Sequence, residues 1–318
     1  MKKLLFVLFV FCIHLSSKSQ LNWKNVSDSF GSLPPSFQVF CSKDSLDNKP
    51  NIAFYVKINL KDRQLEVDVD TTLNRRLTPQ QFFEKTNHPL LVVNSSFFTF
   101  NTHQNVNAVV KKGKLVGYNL HNIPLKGKDT FIYNHTFGSA IGIYKNRTAD
   151  VAWLYTDSSH KKAFAYQSVV KPFKDSNNHL SISQIPVFEN NRYKKWKVKT
   201  AVGGGPVLLQ QGEIAITNNE EHKFTGKQIN DRHPRTAMGY TQNNELIILV
   251  VEGRNKGIAE GATLPQLAKI FKDLGCVEAI NLDGGGSSCM LINGKPTIKV
   301  SDKEGQRPVP CVFMISQK

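Results

Sequence analysis

Outside its first residues, the 318-residue sequence contains no long apolar run. A membrane-spanning helix needs roughly 18–20 consecutive apolar residues, and their absence after the N-terminal segment excludes an integral membrane protein. Hydrophobic residues make up 40% of the chain and charged residues 21%, a balance that argues against disorder. We therefore expect a folded chain that is large enough to bury its own core.

Cysteine is scarce, and no two of the five cysteines form a Cys-x-x-Cys pair. A zinc ribbon or a redox dithiol is therefore not expected. Cys12 lies in the N-terminal segment, and the sequence leaves the pairing of the other four open: Cys41, Cys276, Cys289 and Cys311. We predict that Cys289 is buried and unpaired, because free cysteines commonly pack as small apolar side chains.

Several catalytic signatures are also missing. Gly294-Lys295 lacks the earlier glycine of a P-loop, Ser287 lies in no Gly-x-Ser-x-Gly frame, and His-Glu-x-x-His does not occur. The nine histidines are scattered, so a histidine-built metal site is not expected. No cofactor is predicted; acidic loops could hold Ca²⁺, but no EF-hand-like spacing supports it.

The N-terminus has the pattern of a signal peptide. A pair of lysines opens the chain, residues 4–15 are apolar apart from His14, and Ser17-Lys18-Ser19 supplies small residues for cleavage before Gln20. The apolar stretch is too short to anchor the chain comfortably in a bilayer. We predict that residues 1–19 are removed and that the protein is exported, to the periplasm or the cell exterior.

Positive charge exceeds negative charge, with 41 Lys and Arg against 25 Asp and Glu and a net charge of +16. Such an excess raises the concentration of anions near the surface, and nucleic acid, anionic polysaccharide and phosphorylated glycan all fit it. The basic run Lys194-Lys195-Trp196-Lys197 is more typical of a solvated face than of a nucleic-acid patch, so a nucleic-acid partner is not favoured.

Apolar alternation between turn signals predicts a chain rich in strands. Residues 20–50 are polar and interpreted as a loosely structured lead-in, and a hairpin is predicted over 52–69. Further hairpins are predicted over 108–118 and 289–300, each around a glycine turn. Residues 157–198 are interpreted as a solvated excursion carrying a few short strands.

Two capping boxes predict helices. Thr78 and Thr263 each precede a proline and a glutamine at the spacing of a box, and Gly275 ends the second helix. Strands before and after that helix suggest one strand–helix–strand crossover. The predicted fold class is therefore α+β, with mixed, largely antiparallel sheets and a few packed helices.

Three polar elements follow apolar strands, at residues 94–98, 252–254 and 283–288. Sites are commonly assembled where strands end. Asp283 is followed by three glycines, which allow the backbone to approach a ligand or to form an anion-binding nest. The alternative is a tight turn. The predicted binding residues in this loop are Gly284, Gly285, Gly286, Ser287 and Ser288.

Arginines recur in loops near these elements, and their planar guanidinium groups suit bidentate contact with phosphate. Any single arginine is more often a surface salt-bridge partner, and His233 alone is more typical of a solvated loop. The occurrence of several arginines near two carboxylates at strand ends is stronger evidence for a binding site than any one of these residues. The candidates in these loops are Arg232, His233, Arg235, Arg254 and Arg307.

The order of several motifs resembles that of the phosphodiester glycosidase family. These motifs are Gly203–Pro206, Arg-His-Pro-Arg-Thr-Ala-Met-Gly at 232–239, Val-Val-Glu-Gly-Arg at 250–254, Ala-Ile-Asn-Leu-Asp-Gly-Gly-Gly-Ser-Ser at 279–288, Asn293-Gly294, and Arg307-Pro308-Val309. The resemblance is strongest over 200–312 and weaker over 90–145. It places the catalytic domain at residues 51–318.

The resemblance implies hydrolysis of a sugar-1-phosphodiester at the anomeric C–O bond, which gives free sugar and a phosphomonoester. Because an oxocarbenium-like transition state usually needs two carboxylates, we assign Asp283 as nucleophile or general base and Glu252 as the second carboxylate. Asn94 would orient the sugar. The remaining candidates are then assigned to phosphate or sugar binding: Arg235, Arg254, Arg307, His233, Gly204, Gly205 and the loop 284–288.

The sequence departs from the family pattern at three places. Glu252 stands where aspartate is expected, Ser95-Ser96 replace glycines, and Cys289 replaces a threonine or serine. Two other functions also stay open: a non-catalytic binder of anionic surface glycan, and a hydrolase of another glycoside or phosphate ester on the same scaffold. The substrate under the first interpretation is a phosphorylated glycan or a sugar-1-phosphodiester.

Overall fold

The computed structural model describes residues 21–126, 131–186 and 192–318. Over these residues the chain forms four sheets and three short α-helices, and every strand pairing is antiparallel. The prediction of largely antiparallel sheets with few helices is confirmed. The predicted signal peptide and Cys12 lie outside the described residues.

The largest sheet has eight strands, numbered here along the chain. In spatial order they are β1 (Lys24–Asn25), β2 (Phe37–Ser42), β3 (Ala53–Asn59), β19 (Glu245–Val251), β18 (Arg235–Thr241), β20 (Cys276–Asn281), β16 (Val207–Gln210) and β17 (Glu213–Ile214). The central pairs are long, and β19 pairs with β3 along its whole length. Two of them, β19 and β20, end just before the polar elements at residues 252–254 and 283–288, whereas the element at residues 94–98 belongs to another sheet.

Three smaller sheets complete the strand structure. The seven-stranded sheet contains β14 (Lys194–Lys195), β12 (Phe164–Tyr166), β11 (Ala149–Tyr155), β10 (Gly138–Tyr144), β15 (Val198–Gly203), β6 (Val109–Lys111) and β7 (Lys114–Gly117). The five-stranded sheet contains β22 (Lys295–Pro296), β21 (Met290–Ile292), β5 (Leu91–Asn94), β23 (Cys311–Gln317) and β4 (Leu65–Thr71). The three-stranded sheet contains β13 (Phe173–Asp175), β9 (Tyr133–His135) and β8 (Asn122–Pro124).

The helices are α1 (Pro79–Lys85), α2 (Asn218–Glu221) and α3 (Leu264–Asp273). Both predicted capping boxes are present, at Thr78 and Thr263, and they start α1 and α3. The chain runs from β19 through α3 to β20, and these two strands lie on either side of β18. The apolar face of α3 packs on the eight-stranded sheet through Leu267 and Phe271. None of the helices described here is long and apolar enough to cross a membrane.

The main core lies between the three larger sheets. Val56 and Ile248 of the eight-stranded sheet, Trp153 of the seven-stranded sheet, and Val93 and Phe313 of the five-stranded sheet belong to one buried cluster. Burying each such side chain contributes roughly 1.5–3 kcal/mol. A core shared by three sheets holds their strand ends at fixed positions relative to one another.

The predicted hairpin over residues 52–69 is wrong. Its two strands, β3 and β4, belong to different sheets, since β3 pairs with β2 and β19 whereas β4 pairs with β23. The connection is a corner, and the guanidinium of Arg147 donates to the carbonyls of Leu60, Asp62 and Leu65. The residue that stabilises this corner is about 85 positions away, so local sequence does not reveal it.

The loosely structured lead-in is also a wrong interpretation. Phe37, Val39 and Cys41 alternate into the core, and β2 pairs with β3 over six residues. The prolines and serines around β2 make the segment polar on average, so the alternation of apolar residues within the strand was not recognised. The excursion over 157–198 does carry short strands, but it is not simply solvated, because Tyr166 and Trp196 are buried.

Candidate active site

Three strand-end elements meet at one edge of the sheets. The Asp283 amide donates to the Ser95 carbonyl (2.8 Å), and the side chain of Asn94 donates from Nδ2 to the Asp283 carbonyl (2.6 Å). The Gly285 amide donates to the carbonyl of Pro234 (2.8 Å). The loop after β20 is thus joined both to the end of β5 and to the residues that begin β18.

Asn94 holds this junction together with its whole side chain. Besides its bond to Asp283, Asn94 Oδ1 accepts from Thr236 Oγ1 (2.9 Å) and from the amide of Cys289 (3.1 Å). The side chain is fully buried. The structure therefore gives Asn94 protein partners on both ends of its amide, and its prediction as a sugar ligand stays a prediction.

Asp283 has an unusual electrostatic environment. Burial raises the pKa of its carboxyl to about 7, although Ser287, Arg307 and the Gly284 amide act in the opposite direction. Asp283 Oδ2 and Ser287 Oγ are both buried, and neither has a well-aligned hydrogen-bond partner among the described residues. Buried polar atoms of a folded protein are normally paired, so these two neighbouring atoms are an unusual feature of the loop.

The glycines after Asp283 let two arginines lie against the loop. A Cβ on Gly286 would sit 2.2 Å from Arg307 Nη2, and one on Gly285 would sit 3.0 Å from Arg254 Nη2. Gly285 also has a φ of +62°, in the left-handed region. The triplet is therefore more than a tight turn: it brings two guanidinium groups beside the carboxylate loop.

Within the described part of the chain, the Nη atoms of Arg307 and Arg254 make no hydrogen bond to the protein. Arg307 donates from Nε to Asp302 Oδ2 (2.6 Å) and stacks on the exposed ring of Phe100, with 5.5 Å from Cζ to the ring centre. Arg254 is exposed and has a φ of +61°. Its charge acts on its neighbours, since it helps to lower the pKa of His233 and of Arg235.

Arg235 is built into the protein at the start of β18. Its guanidinium is buried, donates from Nε to the Ala262 carbonyl (2.9 Å) and from Nη2 to the Asp231 carbonyl (2.8 Å), and lies 5.8 Å from the ring centre of Phe224. Burial lowers its pKa to about 10, so it stays charged at neutral pH. Arg235 is a fixed cation whose orientation two backbone carbonyls set. Arg232 is used elsewhere, donating to the carbonyls of Gly261 and Leu46.

Glu252 is buried, and both its oxygens accept hydrogen bonds. Oε2 accepts from the Lys299 amide (3.0 Å) and Oε1 from the side chain of Asn255 (3.3 Å). The carboxylate thereby connects the loop after β19 to the segment after β22. Its assignment as the second catalytic carboxylate stays a prediction.

His233 pairs with Ala262 through two backbone hydrogen bonds. Its Nδ1 atom is buried and has no hydrogen-bond partner among the described residues. Burial, with the charges of Arg235 and Arg254, lowers its pKa, which keeps the imidazole neutral at neutral pH. It can therefore accept or donate one hydrogen bond at the site.

Gly204 and Gly205 lie under the loop, where a side chain has no room. A Cβ on Gly204 would be 2.4 Å from the Asn281 carbonyl, and one on Gly205 would be 2.3 Å from Glu221 Oε2. The Gly205 amide donates to the Asn281 carbonyl (2.7 Å). These glycines position β15 against β20, and the phosphate-binding role predicted for them stays a prediction.

Sequence reasoning missed Glu221 and Lys223. Glu221 is buried and accepts from Ser139 Oγ (2.8 Å), the Val207 amide (2.9 Å) and Thr217 Oγ1 (2.6 Å). Lys223 lies beside Gly205, with Nζ 5.6 Å from the Phe97 ring centre, and burial lowers its pKa. Both border a cavity of about 230 Å³ at this edge. Nothing in the local sequence distinguishes this lysine from the many others.

The four described cysteines are free and buried, and Cys289 is unpaired as predicted. Burial raises the pKa of its thiol to about 12, so it is a packing residue beside Asn94. Among the described residues no group of three or more His, Cys, Asp or Glu side chains could hold a metal ion. The Ca²⁺ considered above therefore has no cluster of ligands in this part of the chain.

Known proteins resemble this chain over different lengths. The family profile described as Phosphodiester glycosidase matches residues 87–316. N-acetylglucosamine-1-phosphodiester alpha-N-acetylglucosaminidase of Bos taurus is 34% identical over 95 residues, which are 27% of this chain and 18% of that protein. The SPbeta prophage-derived uncharacterized protein YomE of Bacillus subtilis is 37% identical over 78 residues, 24% of this chain and 12% of that protein. The matched segments thus span less than a fifth of either relative.

A solved structure resembles almost the whole chain. The catalytic domain of zebrafish N-acetylglucosamine-1-phosphodiester alpha-N-acetylglucosaminidase, auto-inhibited by its pro-peptide, matches with a TM-score of 0.59 and 21% identity. The match covers 94% of this chain and 89% of that one. At this level of identity the likeness shows a shared fold, and the chemistry has to be argued from the residues.

Proposed function

Because the chain belongs to the phosphodiester glycosidase family, we propose that it is a hydrolase of a sugar-1-phosphodiester and breaks the anomeric C–O bond. In that reaction the bond between C1 and the phosphate oxygen breaks, water adds to C1, and a phosphomonoester leaves. The substrate class we propose is a phosphorylated glycan or a smaller sugar-1-phosphodiester. We also propose export, on the signal-peptide pattern of residues 1–19.

The observation that carries the proposal is Asp283 with its unpaired Oδ2 beside Arg307. A glycosidase transition state resembles an oxocarbenium ion, so an oriented carboxylate next to C1 stabilises it. With a pKa of about 7, Asp283 is substantially ionised at neutral pH and can also exchange a proton. Asp283 therefore acts at the anomeric carbon, as nucleophile or as general base toward water.

The arginines act on the leaving group. A phosphomonoester leaves as an anion, and preorganised cations stabilise charge that develops as the bond breaks. Arg307 and Arg254 flank the glycine loop, while Arg235 supplies a fixed, buried charge close enough to Arg254 for their charges to interact. The amides of Gly285 and Ser287 are already used within the protein, whereas the Ser287 hydroxyl beside Asp283 binds a sugar or phosphate oxygen.

The test is Asp283→Asn, which keeps the size of the side chain and removes its charge. We expect turnover of a sugar-1-phosphodiester to fall at least ~100-fold, by about 2.7 kcal/mol of barrier, with binding of substrate nearly unchanged. Glu278→Gln is the matched control, because burial also raises the pKa of Glu278, which lies on β20 and accepts a hydrogen bond from Tyr240. Activity of Asp283→Asn equal to that of the control would overturn the assignment.

A substrate panel separates the other functions. Sugar-1-phosphodiesters, plain glycosides and phosphomonoesters are offered to the wild type, Arg254→Lys and Arg307→Lys. We expect only the phosphodiester to be cleaved well, and both lysine variants to lose part of that activity because lysine lacks the planar fork. Binding without turnover of any of the three would favour a glycan binder, and turnover of plain glycosides alone would favour a different hydrolase.

The role of Glu252 is tested by its pH dependence. If Glu252 is the second carboxylate, Glu252→Gln removes one limb of the pH profile of kcat/KM. If it only connects the loops through Asn255 and Lys299, the variant lowers activity at every pH with the profile unchanged in shape. The shape of the pH profile thus distinguishes a catalytic role of Glu252 from a structural one.

A further inference from the structure

A second charged surface lies away from the candidate active site. It is a groove with a volume of about 780 Å³, formed where the β3–β4, β6–β7 and β10–β11 connections meet the start of β15. We call it the basic groove. Nine of its described lining residues are cations: Lys61, Arg63, Lys112, Lys145, Arg147, Lys162, Lys197, Lys199 and Lys318.

Most of these cations are available to a partner. Eight of the nine are exposed, whereas Arg147 is tied to backbone carbonyls at the corner after β3. No Asp or Glu is among the described lining residues. Glu66 pairs with Lys199 (3.0 Å), but within the described part of the chain no carboxylate reaches ion-pair distance of Lys145, Lys162 or Lys197.

The neighbourhood responds to this charge. The pKa of the Glu66 carboxyl is lowered by the hydrogen bond from Lys199 and by the charges of Lys199, Lys318 and Lys112, despite partial desolvation. A partly buried carboxyl whose pKa is lowered by three neighbouring lysines lies in a positive local potential. Like charges held in one groove repel each other, and this repulsion lowers the stability of the fold. A bound anion reduces the repulsion, so binding of an anionic partner is favourable.

The basic groove and the candidate active site lie at opposite ends of the same strands. β15 begins at the groove with Val198 and ends at Gly203, next to Gly204 at the site. β23 begins at Cys311, beside the strand that ends at Asn94, and ends next to Lys318 in the groove. At ~3.3 Å per residue, strands of this length separate the two by about 20 Å.

We propose that the basic groove binds an anionic polysaccharide independently of catalysis. The groove holds cations at several points around an extended depression, which suits repeated charges along a flexible chain better than one small anion. Single-stranded nucleic acid requires aromatic platforms for its bases. Among its described lining residues the groove has one aromatic side chain, Tyr144, whose hydroxyl already donates to Asp150 (3.0 Å).

The consequence is retention of the enzyme on acidic glycan. A site about 20 Å from the catalytic residues can hold a polymer while the other edge of the sheets stays open to substrate. Binding at the groove is predominantly electrostatic, so it weakens with salt as counterions return to the polymer.

The experiment compares two variants of equal charge. The groove variant is Lys145/Lys162/Lys197→Gln, and the control is Lys24/Lys43/Lys171→Gln, which removes three exposed lysines elsewhere on the surface. Binding of a short heparin fragment is measured by calorimetry at several salt concentrations, with neutral dextran as the blank. Circular dichroism and phosphodiester turnover establish that both variants are folded.

We expect the wild type and the control to bind heparin with similar affinity, and the groove variant to bind at least about tenfold more weakly with a smaller salt dependence. A third variant, Lys145/Lys162/Lys197→Arg, should bind like the wild type because it keeps the charges. Phosphodiester turnover should be the same in all of them, so a failure of the proposed catalytic function would not resemble this result.

Three results would overturn the proposal. One is equal loss of heparin binding in the groove variant and the control, which would mean that net charge alone attracts the polymer. Another is unchanged binding in the groove variant. A third is tighter binding of single-stranded DNA than of heparin at matched charge, which would assign the groove to nucleic acid.

Discussion

At the scale of the residue, Asp283 combines burial, an unpaired oxygen and neighbouring cations. These features pull in opposite directions, because burial favours the neutral acid while Arg307 favours the carboxylate. Such opposition places the titration of an acid near neutral pH, where proton exchange during catalysis is easiest. The same arrangement carries a cost in stability that can be measured.

We expect Asp283→Asn to stabilise the fold at pH 8 and to have little effect at pH 4. The pKa of the carboxyl is about 7 in the folded state against 3.8 for an ordinary aspartate, so the folded state binds this proton more tightly. Stability from this group is present below pH 4 and is lost as pH rises through 7. Chemical denaturation at both pH values should show a gain at pH 8 of at most about 4 kcal/mol.

The opposite effect of Asp283→Asn on stability would contradict this prediction. A variant that is less stable than the wild type at pH 8 would mean that the ionised carboxylate is well solvated or well paired in the folded protein. Glu278→Gln again serves as the control carboxyl on β20, away from the strand end.

At the scale of the element, the glycine loop after Asp283 is packed against the side chain of Arg307. Gly286 faces the guanidinium of Arg307 so closely that a methyl group would displace it. The loop and the segment before β23 therefore form a single structural unit, although 20 residues separate Gly286 from Arg307. We therefore expect the effects of substitutions at Gly286 and at Arg307 to be coupled.

We expect Gly286→Ala to raise KM and lower kcat for a sugar-1-phosphodiester, because Cβ would lie 2.2 Å from Arg307 Nη2. In an Arg307→Ala background the same substitution should cost little more, because the displaced group is already gone. Steady-state kinetics of the four proteins of this double-mutant cycle measure the coupling. Additive effects would show that the glycine acts independently of the arginine.

The corner between β3 and β4 is a second element that one distant side chain stabilises. Arg147→Met should lower the free energy of unfolding by roughly 3 kcal/mol, because carbonyls of the corner lose their donor. The neighbouring exposed Lys145→Met should change it by less than about 0.5 kcal/mol. Urea denaturation distinguishes the two, and equal effects would contradict the role given to Arg147.

At the scale of the whole molecule, packing between sheets replaces covalent cross-links. The core shared by three sheets includes Cys311 and is completed by apolar side chains from both ends of the chain. The four described cysteines are buried and unpaired. Burial raises the pKa of Cys276 and of Cys289 to about 12, which removes the reactive thiolate.

Reductant should therefore leave the melting temperature unchanged, and Cys41, Cys276, Cys289 and Cys311 should react with a thiol reagent only after denaturation. Mass spectrometry of protein labelled before and after unfolding checks both statements. Rapid labelling of any of the four in the native protein, or a disulfide between two of them, would contradict the structure.

Much of the candidate site could be predicted from sequence because its signals are local. The capping boxes at Thr78 and Thr263 depend on residues three positions apart, and strand alternation and glycine turns are equally short in range. An aspartate between a buried strand and three glycines can be recognised from the local sequence, without knowledge of the residues it contacts in the fold. The ordered motifs over 200–312 identified the family for the same reason.

Tertiary structure alone decided which strands pair, and with that the roles of several residues. Nothing near residue 60 indicates that β4 leaves β3 for β23, because the stabilising Arg147 is far along the chain. The partners of Asn94, the position of Lys223 beside Gly205, and the grouping of cations into the basic groove depend likewise on contacts between distant segments. The sequence by itself determined local conformation and the residue types of the chemistry, whereas long-range packing determined which of them meet.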